Sequence, residues 1–249
     1  MARTAVPGRL IWRVARLARA RHETATARTL TFDVPDWPAP AQLAGQHVDV
    51  RLTAEDGYST QRSYSLAAPD RVELTVQWVP DGEVSPYLTD VLGVGDPVEI
   101  RGPIGGWFVW RPNATPPVPP VLLVAGGSGV VPLMAMIRAR RLARSGTPFR
   151  LIYSVRTPAD AYYADELRRS EPGLDVTFIY TRTTPDGWPR PPGRLTAADL
   201  STEEGTHDPD RDCFVCGPTG FVEAAADMLL ARGHDPRRIK TERFGPSGG

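Results

Sequence analysis

Cysteine, histidine and net charge are all scarce in this sequence. Its two cysteines, Cys213 and Cys216, are too few for a disulfide scaffold, and an iron–sulfur cluster takes four thiolates. So little cysteine is typical of a reducing compartment, and we expect a cytoplasmic protein. The histidines lie too far apart to act together as ligands, so we expect no metal site. They are His22, His47, His207 and His234.

The C-x-x-C spacing of the two cysteines allows two interpretations. It is the spacing of a redox dithiol. Both residues also belong to an apolar run that ends just before Gly217-Pro218. That run favours a strand end with thiols that pack rather than react.

Charge and hydropathy argue against nucleic acid binding, secretion and membrane crossing. Lys plus Arg equal Asp plus Glu at 29 each, whereas nucleic-acid binding usually brings a basic surplus. Arg9, Arg13, Arg16 and Arg19 interrupt any secretory apolar segment. The segment 118–137 carries no charge, but its glycines and prolines favour a strand, a turn and a helix over a membrane span.

Length and a proline-rich break divide the chain into two domains. A chain of 249 residues suits two modest domains, and a hydrophobic content of 41% is enough for two cores. Five of the ten residues from Arg111 to Pro120 are prolines, which is typical of an extended spacer. We therefore predict domains at residues 1–115 and 116–249.

Short alternating segments dominate the first domain. Each is bounded by glycine or proline, and strands of this kind at even spacing predict a small antiparallel barrel, here of six strands. The predicted strands include Thr29–Val34, His47–Leu52, Val72–Val79 and Pro97–Arg101, with another around Arg62–Ser65.

The second domain has a different pattern. Val121–Ala125 is a continuous apolar run, as in a buried parallel strand. Strand and helix patterns then alternate, which predicts a doubly wound parallel α/β fold. The predicted helices cover about 131–143, 159–169 and 221–232, and the further strands are Phe149–Val155, Val176–Tyr180, Cys213–Cys216 and Ile239–Phe244.

The first candidate site is Arg62-Ser63-Tyr64-Ser65. On a strand, Tyr64 faces opposite to Ser63 and Ser65. A guanidinium pairs with phosphate, a phenol stacks on a flat ring, and a hydroxyl donates to a ring nitrogen. An ordinary exposed strand edge would contain the same residues, so this segment alone does not distinguish a ligand site from a solvent-exposed edge.

The second candidate is the segment Asp81–Leu88. Ser85 fits the N-cap of a helix and Pro86 its first position. Free N–H groups at a helix start suit a pyrophosphate. An ordinary capped helix explains the cap but not Gly82 just before it.

The third candidate is the glycine-rich turn after Val121–Ala125. Gly127, Gly129 and Pro132 have G-x-G-x-x-P spacing, which differs from the usual dinucleotide fingerprint in its third place. Close approach of a pyrophosphate to backbone at a helix start is the shared mechanism. A tight strand–helix turn is the alternative.

The fourth candidate is Ser154-Val155-Arg156, at the end of the next predicted strand. NAD-selective sites usually place an acid there for the ribose diol, but the next acid here is Asp160. Arg156 suits a 2′-phosphate, and Arg182 offers a second positive charge from the following strand end. Either arginine could also be an ordinary solvated side chain.

Taken in order, these segments resemble the ferredoxin–NADP reductase superfamily of flavoprotein reductases. The likeness covers nearly the whole chain, and five motifs in the family's order are highly specific. They are R-x-Y-S at Arg62–Ser65, G-x-x-S at Gly82–Ser85, G-P-x-G at Gly102–Gly105, the loop Gly127–Pro132, and C-G-P at Cys216–Pro218.

The resemblance implies a role for each motif. Arg62 and Ser85 would hold the flavin pyrophosphate, Tyr64 would lie on the isoalloxazine ring, and Ser65 would point at its N5 atom. Cys216 would lie near the nicotinamide C4 atom, and Phe244 would cover the other flavin face, although five residues follow it. These roles make Ser65, Cys216 and Phe244 the predicted catalytic residues. The predicted cofactor-binding residues also include Ser63, Gln77, Trp78, Val84, Gly217 and Pro218.

The resemblance also implies an activity. We expect a flavoprotein reductase that transfers a hydride from NADPH to bound FAD, with FMN the less favoured flavin. The chain has no cysteine cluster of a ferredoxin domain, so electrons would pass to a separate protein or small acceptor. The alternatives are a free flavin or ferric-chelate reductase and a non-catalytic flavin-binding subunit.

Overall fold

The computed structural model describes residues 10–37, 42–112, 119–201 and 211–245, and it contains two sheets. The first is a six-stranded antiparallel sheet with the order β4-β3-β6-β1-β2-β5. Its strands are β1 (Trp12–Thr24), β2 (Ala27–Asp33), β3 (His47–Thr53), β4 (Ser59–Ser65), β5 (Val72–Gln77) and β6 (Pro97–Ile104).

The two edge strands of this sheet meet and close it into the predicted barrel. Leu66, just after β4, forms an isolated bridge with Leu74 of β5. The N–H of Ala67 donates to the carbonyl oxygen of Glu73 at 2.7 Å. Closure removes the exposed edges that an open sheet would have. The barrel interior is filled by alternating apolar residues, including Leu30, Val50 and Ile100.

The second sheet is parallel and has five strands, in the order β11-β10-β7-β8-β9. The strands are β7 (Val121–Gly126), β8 (Phe149–Val155), β9 (Leu174–Tyr180), β10 (Asp212–Pro218) and β11 (Ile239–Phe244). The α-helices within the described residues are α1 (Val84–Pro86), which continues into a π-helical turn (Tyr87–Val91), α2 (Val130–Leu142), α3 (Ala164–Leu167) and α4 (Thr219–Ala231). The predicted α/β fold is confirmed.

Helix α2 lies between the parallel sheet and the barrel, while α4 covers the other face. All six residues of β7 are buried, and they alternate between the two faces of the sheet. Val121, Leu123 and Ala125 join a core cluster that contains α2 and, from the barrel, Ala44 and Phe108. A continuous apolar core therefore joins the two sheets. The predicted boundary between residues 115 and 116 lies outside the described residues.

One strand was missed and two local predictions were wrong. The longest strand, β1, was not predicted, because its inward face offers few large apolar residues and its outward face carries arginines. The helix expected over 159–169 is a 3₁₀ turn followed by the short α3, with Tyr163 in a left-handed conformation at φ 55° between them. Ser85 is not an N-cap residue, because the helix begins at Val84.

Candidate functional site

The carboxyl ends of all five parallel strands lie at one edge of the second sheet. In open α/β sheets this edge is where ligands bind. The glycine-rich turn, Ser154, Arg182 and the segment Cys216–Pro218 lie at or next to these strand ends, as predicted. Strand β11 adds its own end at the outer side of the sheet, where Phe244 pairs with Pro218. The sequence motifs of the second half therefore converge.

Strand β4 carries the residues of the first motif along the seam of the barrel. Arg62 is exposed, and its Nη1 donates to the carbonyl oxygen of Gln61 at 2.7 Å. Tyr64 is half-buried against the barrel core, and burial raises the pKa of its phenol to about 12. The Ser63 hydroxyl donates to Oδ1 of Asp49 at 2.7 Å. The guanidinium, the phenol ring and the two hydroxyls of this motif thus lie along strand β4.

Ser65, at the end of this motif, contacts the second sheet directly. Its side chain is buried, and its hydroxyl donates to Oε1 of Glu242 in β11 at 3.0 Å. Burial raises the pKa of Glu242 to about 7, and the hydrogen bond from Ser65 opposes the shift. Glu242 was missed as a site residue, although it stands in the quoted segment Glu242-Arg243-Phe244, because its partner lies 177 positions earlier.

Cys216 completes this group. It pairs with Glu242 across β10 and β11 and is fully buried. Burial raises the pKa of its thiol, and the nearby Glu242 carboxylate adds to the shift. Cys216 is therefore a neutral thiol, a small polarizable group rather than a thiolate nucleophile. Ser65, Cys216 and Glu242 meet where the barrel faces the strand ends.

The two cysteines point to opposite sides of β10. Cys213 packs with Leu122 and Val215 on the α4 side, and Cys216 belongs to the cluster on the α2 side. Both thiols are unbridged. Residues three apart on a strand face opposite sides, so these cysteines cannot form a dithiol, and the packing interpretation of the C-x-x-C pair is confirmed.

The second motif surrounds the start of α1. Glu83 is the residue before the helix and makes no side-chain cap. Ser85 is buried, and its Oγ accepts a hydrogen bond from the N–H of Val79 at 3.2 Å, which leaves its proton free to donate. A Cβ at Gly82 would lie 3.0 Å from this oxygen, so glycine allows the turn to approach the hydroxyl.

Two further predicted residues lie at the end of strand β5. Gln77 ends β5, and Trp78 is 38% exposed just beyond it. The backbone N–H of Trp78 donates to the carbonyl oxygen of Thr26 at 2.8 Å, and this bond fixes the backbone that carries the exposed ring. Val84, by contrast, is buried and packs in the barrel core.

The two glycines of the third motif are favoured for different physical reasons. A Cβ at Gly129 would lie 2.1 Å from the carbonyl oxygen of Cys216, so only glycine lets the turn pack on β10. Gly127 has φ +54°, a backbone conformation that favours glycine, and open space around it. Pro132 is buried in the first turn of α2, where its missing N–H costs no hydrogen bond.

The glycine of the C-G-P motif brings two strand ends together. A Cβ at Gly217, which has φ +158°, would lie 2.9 Å from the Phe221 ring and 3.1 Å from the Cα of Gly126. Pro218 is exposed at the end of β10, and Phe244 packs beside the core that contains Cys216. Residues 246–249, which follow the aromatic, lie outside the described residues.

The fourth motif is positioned by the ends of β8 and β9. Ser154 is buried between Gly126 and Ile179 in the sheet. The N–H of Arg182 donates to the carbonyl oxygen of Arg156 at 2.9 Å, so the two arginines are neighbours. Both side chains are exposed. This end of the sheet therefore carries two exposed arginines on backbone segments that are hydrogen-bonded to each other.

The turn after β6 adds residues that the sequence interpretation did not include. Trp107 is 62% exposed, in the loop that follows Gly102–Gly105. Nζ of Lys240 lies 5.9 Å from the Trp107 ring centre and 4.9 Å from that of Phe214, and it donates to the carbonyl oxygen of Val109 at 3.2 Å. Lys240 thus joins this loop to β11.

The fold and the site define a two-part oxidoreductase with a flavin barrel and a pyridine-nucleotide sheet. Two family models match. The Oxidoreductase FAD-binding domain matches residues 15–109, and the Oxidoreductase NAD-binding domain matches residues 123–227. In the described residues no helix has the length and apolar character needed to cross a membrane.

Proteins that are similar to this chain in sequence include reductase components of oxygenase systems. The glycine betaine monooxygenase reductase subunit of Chromohalobacter salexigens is 30% identical over 239 residues, which cover 92% of this chain and 63% of that protein. The propane 2-monooxygenase reductase component of Rhodococcus jostii is 29% identical over 210 residues, 80% of this chain and 55% of that protein. The chain thus spans under two thirds of either relative.

The solved structures agree with this assignment. The crystal structure of an Amycolatopsis cytochrome P450 reductase has a TM-score of 0.81 and 27% identity, and the match covers 96% of this chain and 71% of that chain. The chain belongs to the FAD- and NAD-binding oxidoreductases of the ferredoxin–NADP reductase superfamily. The predicted family and its ligands, FAD and a pyridine nucleotide, are confirmed.

Proposed function

We propose that this protein is a reductase that takes a hydride from NADPH onto bound FAD and passes electrons to a separate acceptor. The observation that carries the proposal is the contact between Ser65 of the barrel and Glu242 of the parallel sheet, with Cys216 beside it. This contact brings the proposed flavin-binding residues of β4 to the strand ends where a nucleotide would bind. We keep the domain boundary at residues 115 and 116 as part of the proposal.

The barrel residues fit a flavin dinucleotide. Arg62 is exposed and Ser85 retains its hydroxyl proton, so both can donate to a pyrophosphate. Tyr64 offers a ring face and Ser65 a hydroxyl to the flavin ring. Bound FAD would supply the exchange between two-electron and one-electron chemistry. The remaining proposed lining residues are Ser63, Gln77, Trp78, Gly82 and Val84.

The strand ends of the sheet fit NADPH. The open backbone at Gly127 suits a pyrophosphate, while Gly129 and Pro132 shape the turn. We assign the adenosine 2′-phosphate to the neighbouring arginines and Ser154, because guanidinium groups bind phosphate with paired hydrogen bonds. Gly217, Pro218 and Cys216 would contact the nicotinamide.

Glu242 gives the hydride site a group that can hold a proton. With a pKa of about 7, it is neutral in acid and ionised in base. An ionised Glu242 accepts a hydrogen bond from the Ser65 hydroxyl, whereas a neutral Glu242 can donate a hydrogen bond to Ser65 and leave that hydroxyl to donate elsewhere. Phe244, two positions further along β11, packs against the apolar cluster that contains Cys216.

The acceptor follows from the relatives. Two of them are reductase components of monooxygenase systems, so we propose an oxygenase or a ferredoxin as the separate acceptor of this chain. A reducing cytoplasm remains our prediction for the compartment, because the sequence contains so little cysteine.

Flavin retention and anaerobic reduction test the proposal together. The purified protein should be yellow, keep FAD through gel filtration, and bleach when NADPH is added without oxygen. Flavin lost on the column would favour a free flavin or ferric-chelate reductase. Retained flavin that NADPH does not bleach would favour a non-catalytic flavin-binding subunit. A colourless protein that takes up no added flavin would overturn the assignment.

A further inference from the structure

A partly buried arginine joins the helix after the glycine-rich turn to the segment that follows Ser65. Arg138 lies about two turns beyond Val130 in α2, which is about 12 Å along a helix. Its side chain is 13% exposed. Its Nη1 donates to the carbonyl oxygen of Ala67 at 2.9 Å and to Oε1 of Glu73 at 2.6 Å.

These contacts fix the backbone next to the proposed hydride site. Ala67 stands two positions after Ser65, and its own N–H donates to the carbonyl oxygen of Glu73 at 2.7 Å. The Ala67 peptide groups are therefore held by Glu73 on the barrel side and by Arg138 on the sheet side. A shift of this segment would move the Ser65 hydroxyl with it.

The rest of the guanidinium is anchored in the α/β part. Nη2 of Arg138 donates to Oε2 of Glu166 at 2.7 Å, and Nε donates to Oε1 at 3.3 Å. The planar fork thus spans two carboxylates and a carbonyl oxygen in one fixed geometry, which a lysine amine cannot reproduce. Arg138 therefore acts as a rigid connection between the two parts of the chain.

Tyr163 reinforces the same junction. It lies with its ring 4.9 Å from the Arg138 guanidinium, and its backbone is in the left-handed region at φ 55°. Its N–H donates to Oε2 of Glu23 at 3.0 Å, and its hydroxyl is hydrogen-bonded to Thr75, both in the barrel. Bulky residues rarely adopt this conformation unless their surroundings hold them.

We propose that Arg138 is a positioning residue for hydride transfer. By tying α2 to the segment 65–67, it fixes the separation between the nucleotide bound at the start of α2 and the flavin bound beside Ser65. The inference rests on the proposed function and names a residue that touches neither ligand. Small errors in the separation of reacting atoms lower the rate steeply, so this connection controls the reaction step rather than binding.

Three variants test the role. Arg138→Lys keeps the charge between Glu73 and Glu166 but loses the fork, and Arg138→Met loses both. Arg141→Lys is the matched control, because Arg141 lies on the same helix and pairs with Glu166 and Glu171 within the α/β part. Each is studied as the full chain loaded with FAD.

The first measurement is amide hydrogen exchange across residues 65–68, which needs no turnover. We expect exchange at least tenfold faster in both Arg138 variants and unchanged exchange in Arg141→Lys. The second measurement is flavin reduction by rapid mixing with NADPH. We expect the saturating rate to fall at least tenfold in Arg138→Lys, with nucleotide affinity within threefold of the original protein.

Each outcome of these two measurements either supports or overturns the role of Arg138. Wild-type exchange and a wild-type reduction rate in Arg138→Lys would overturn the proposal, and so would an equal loss in Arg141→Lys, which would indicate general destabilisation. If Arg138→Met does not fold, Arg138→Lys alone decides. If NADPH fails to reduce the flavin of the original protein, the proposed function fails as well, whereas normal reduction with unaffected Arg138 variants removes only the role of Arg138.

Discussion

The Ser65 hydroxyl in the barrel donates a 3.0 Å hydrogen bond to Glu242 on the last strand of the parallel sheet. We expect Ser65→Ala to slow flavin reduction by roughly tenfold to a hundredfold, because the hydroxyl orients the reacting ring. The loss in stability should be only about 1 kcal/mol, since one hydrogen bond is removed. Rapid mixing with NADPH measures the first effect and urea unfolding the second. Ser59→Ala, at the exposed start of β4, is the control, and an unchanged rate in Ser65→Ala would remove this role.

Glu242 should make stability depend on pH in the opposite sense to an ordinary salt-bridged acid. Its folded pKa is about 7 against an ordinary value of 4.5, so the folded state holds the proton longer than the unfolded state. Stability is therefore lost as pH rises from about 4.5 through 7. Relative to the original protein, Glu242→Gln should gain about 3 kcal/mol of stability between pH 4.5 and pH 8 in urea unfolding, because one unit of pKa shift corresponds to about 1.4 kcal/mol.

Glu99 supplies a control of opposite sign for that experiment. The Arg51 guanidinium holds the pKa of Glu99 below its usual value, against the opposing effect of burial. Its contribution to stability is present above the ordinary pKa and is lost as pH falls. Glu99→Gln should therefore cost stability at neutral pH and not in acid. A parallel pH response of the two variants would contradict both assignments.

Arg156 should decide the choice between NADPH and NADH. Its side chain is exposed next to Arg182 at the strand ends. We expect Arg156→Ala to lower kcat/KM for NADPH by roughly tenfold or more, in line with about 1.5 to 3 kcal/mol for a hydrogen bond to a charged group. NADH, which carries no 2′-phosphate, should be much less affected, and the loss should shrink at high salt.

The control for this prediction is another exposed arginine. Arg169→Ala removes the same charge after α3, away from the strand ends, and should change neither nucleotide's kinetics. Equal effects of Arg156→Ala on both nucleotides would remove Arg156 from the site. A preference of the original protein for NADH would overturn the assignment of NADPH.

Gly129 should tolerate no side chain. A Cβ there would lie 2.1 Å from the carbonyl oxygen of Cys216, so Gly129→Ala must push the turn away from β10. We expect a stability loss of roughly 1 to 3 kcal/mol in urea unfolding, together with weaker nucleotide binding. Gly146→Ala is the control, because a Cβ there meets nothing within 4 Å. Equal stabilities of the two variants would show that the turn has room to relax.

The sequence was sufficient for those elements whose patterns are local. Strand β8 and strand β11 have the predicted bounds, and β7 and α2 agree within one residue at each end, because continuous apolar runs and helical periodicity depend on neighbours along the chain. Strand β1 was missed, since Ala15 and Leu17 are its only fully buried residues and arginines dominate its outer face.

The missed site features depend on contacts between distant segments. Tyr163 breaks the expected helix because its hydroxyl and N–H bind Thr75 and Glu23 of the barrel. Glu242 becomes part of the site only through Ser65. No spacing rule within one segment contains such information, whereas the glycine motifs were visible because their backbone demands are local.

Lys240 is the only lysine in the sequence, and it holds the loop of Trp107 against β11 two positions from Glu242. The other 28 of the 29 lysine and arginine residues are arginines, and guanidinium groups react poorly with acylating reagents. An acyl label on a side-chain amine of this protein would therefore report on a single place. Its attachment would replace the cation over the Trp107 and Phe214 rings by a neutral amide. The protein thus has a single lysine that can be labelled selectively, beside the position where its two sheets meet.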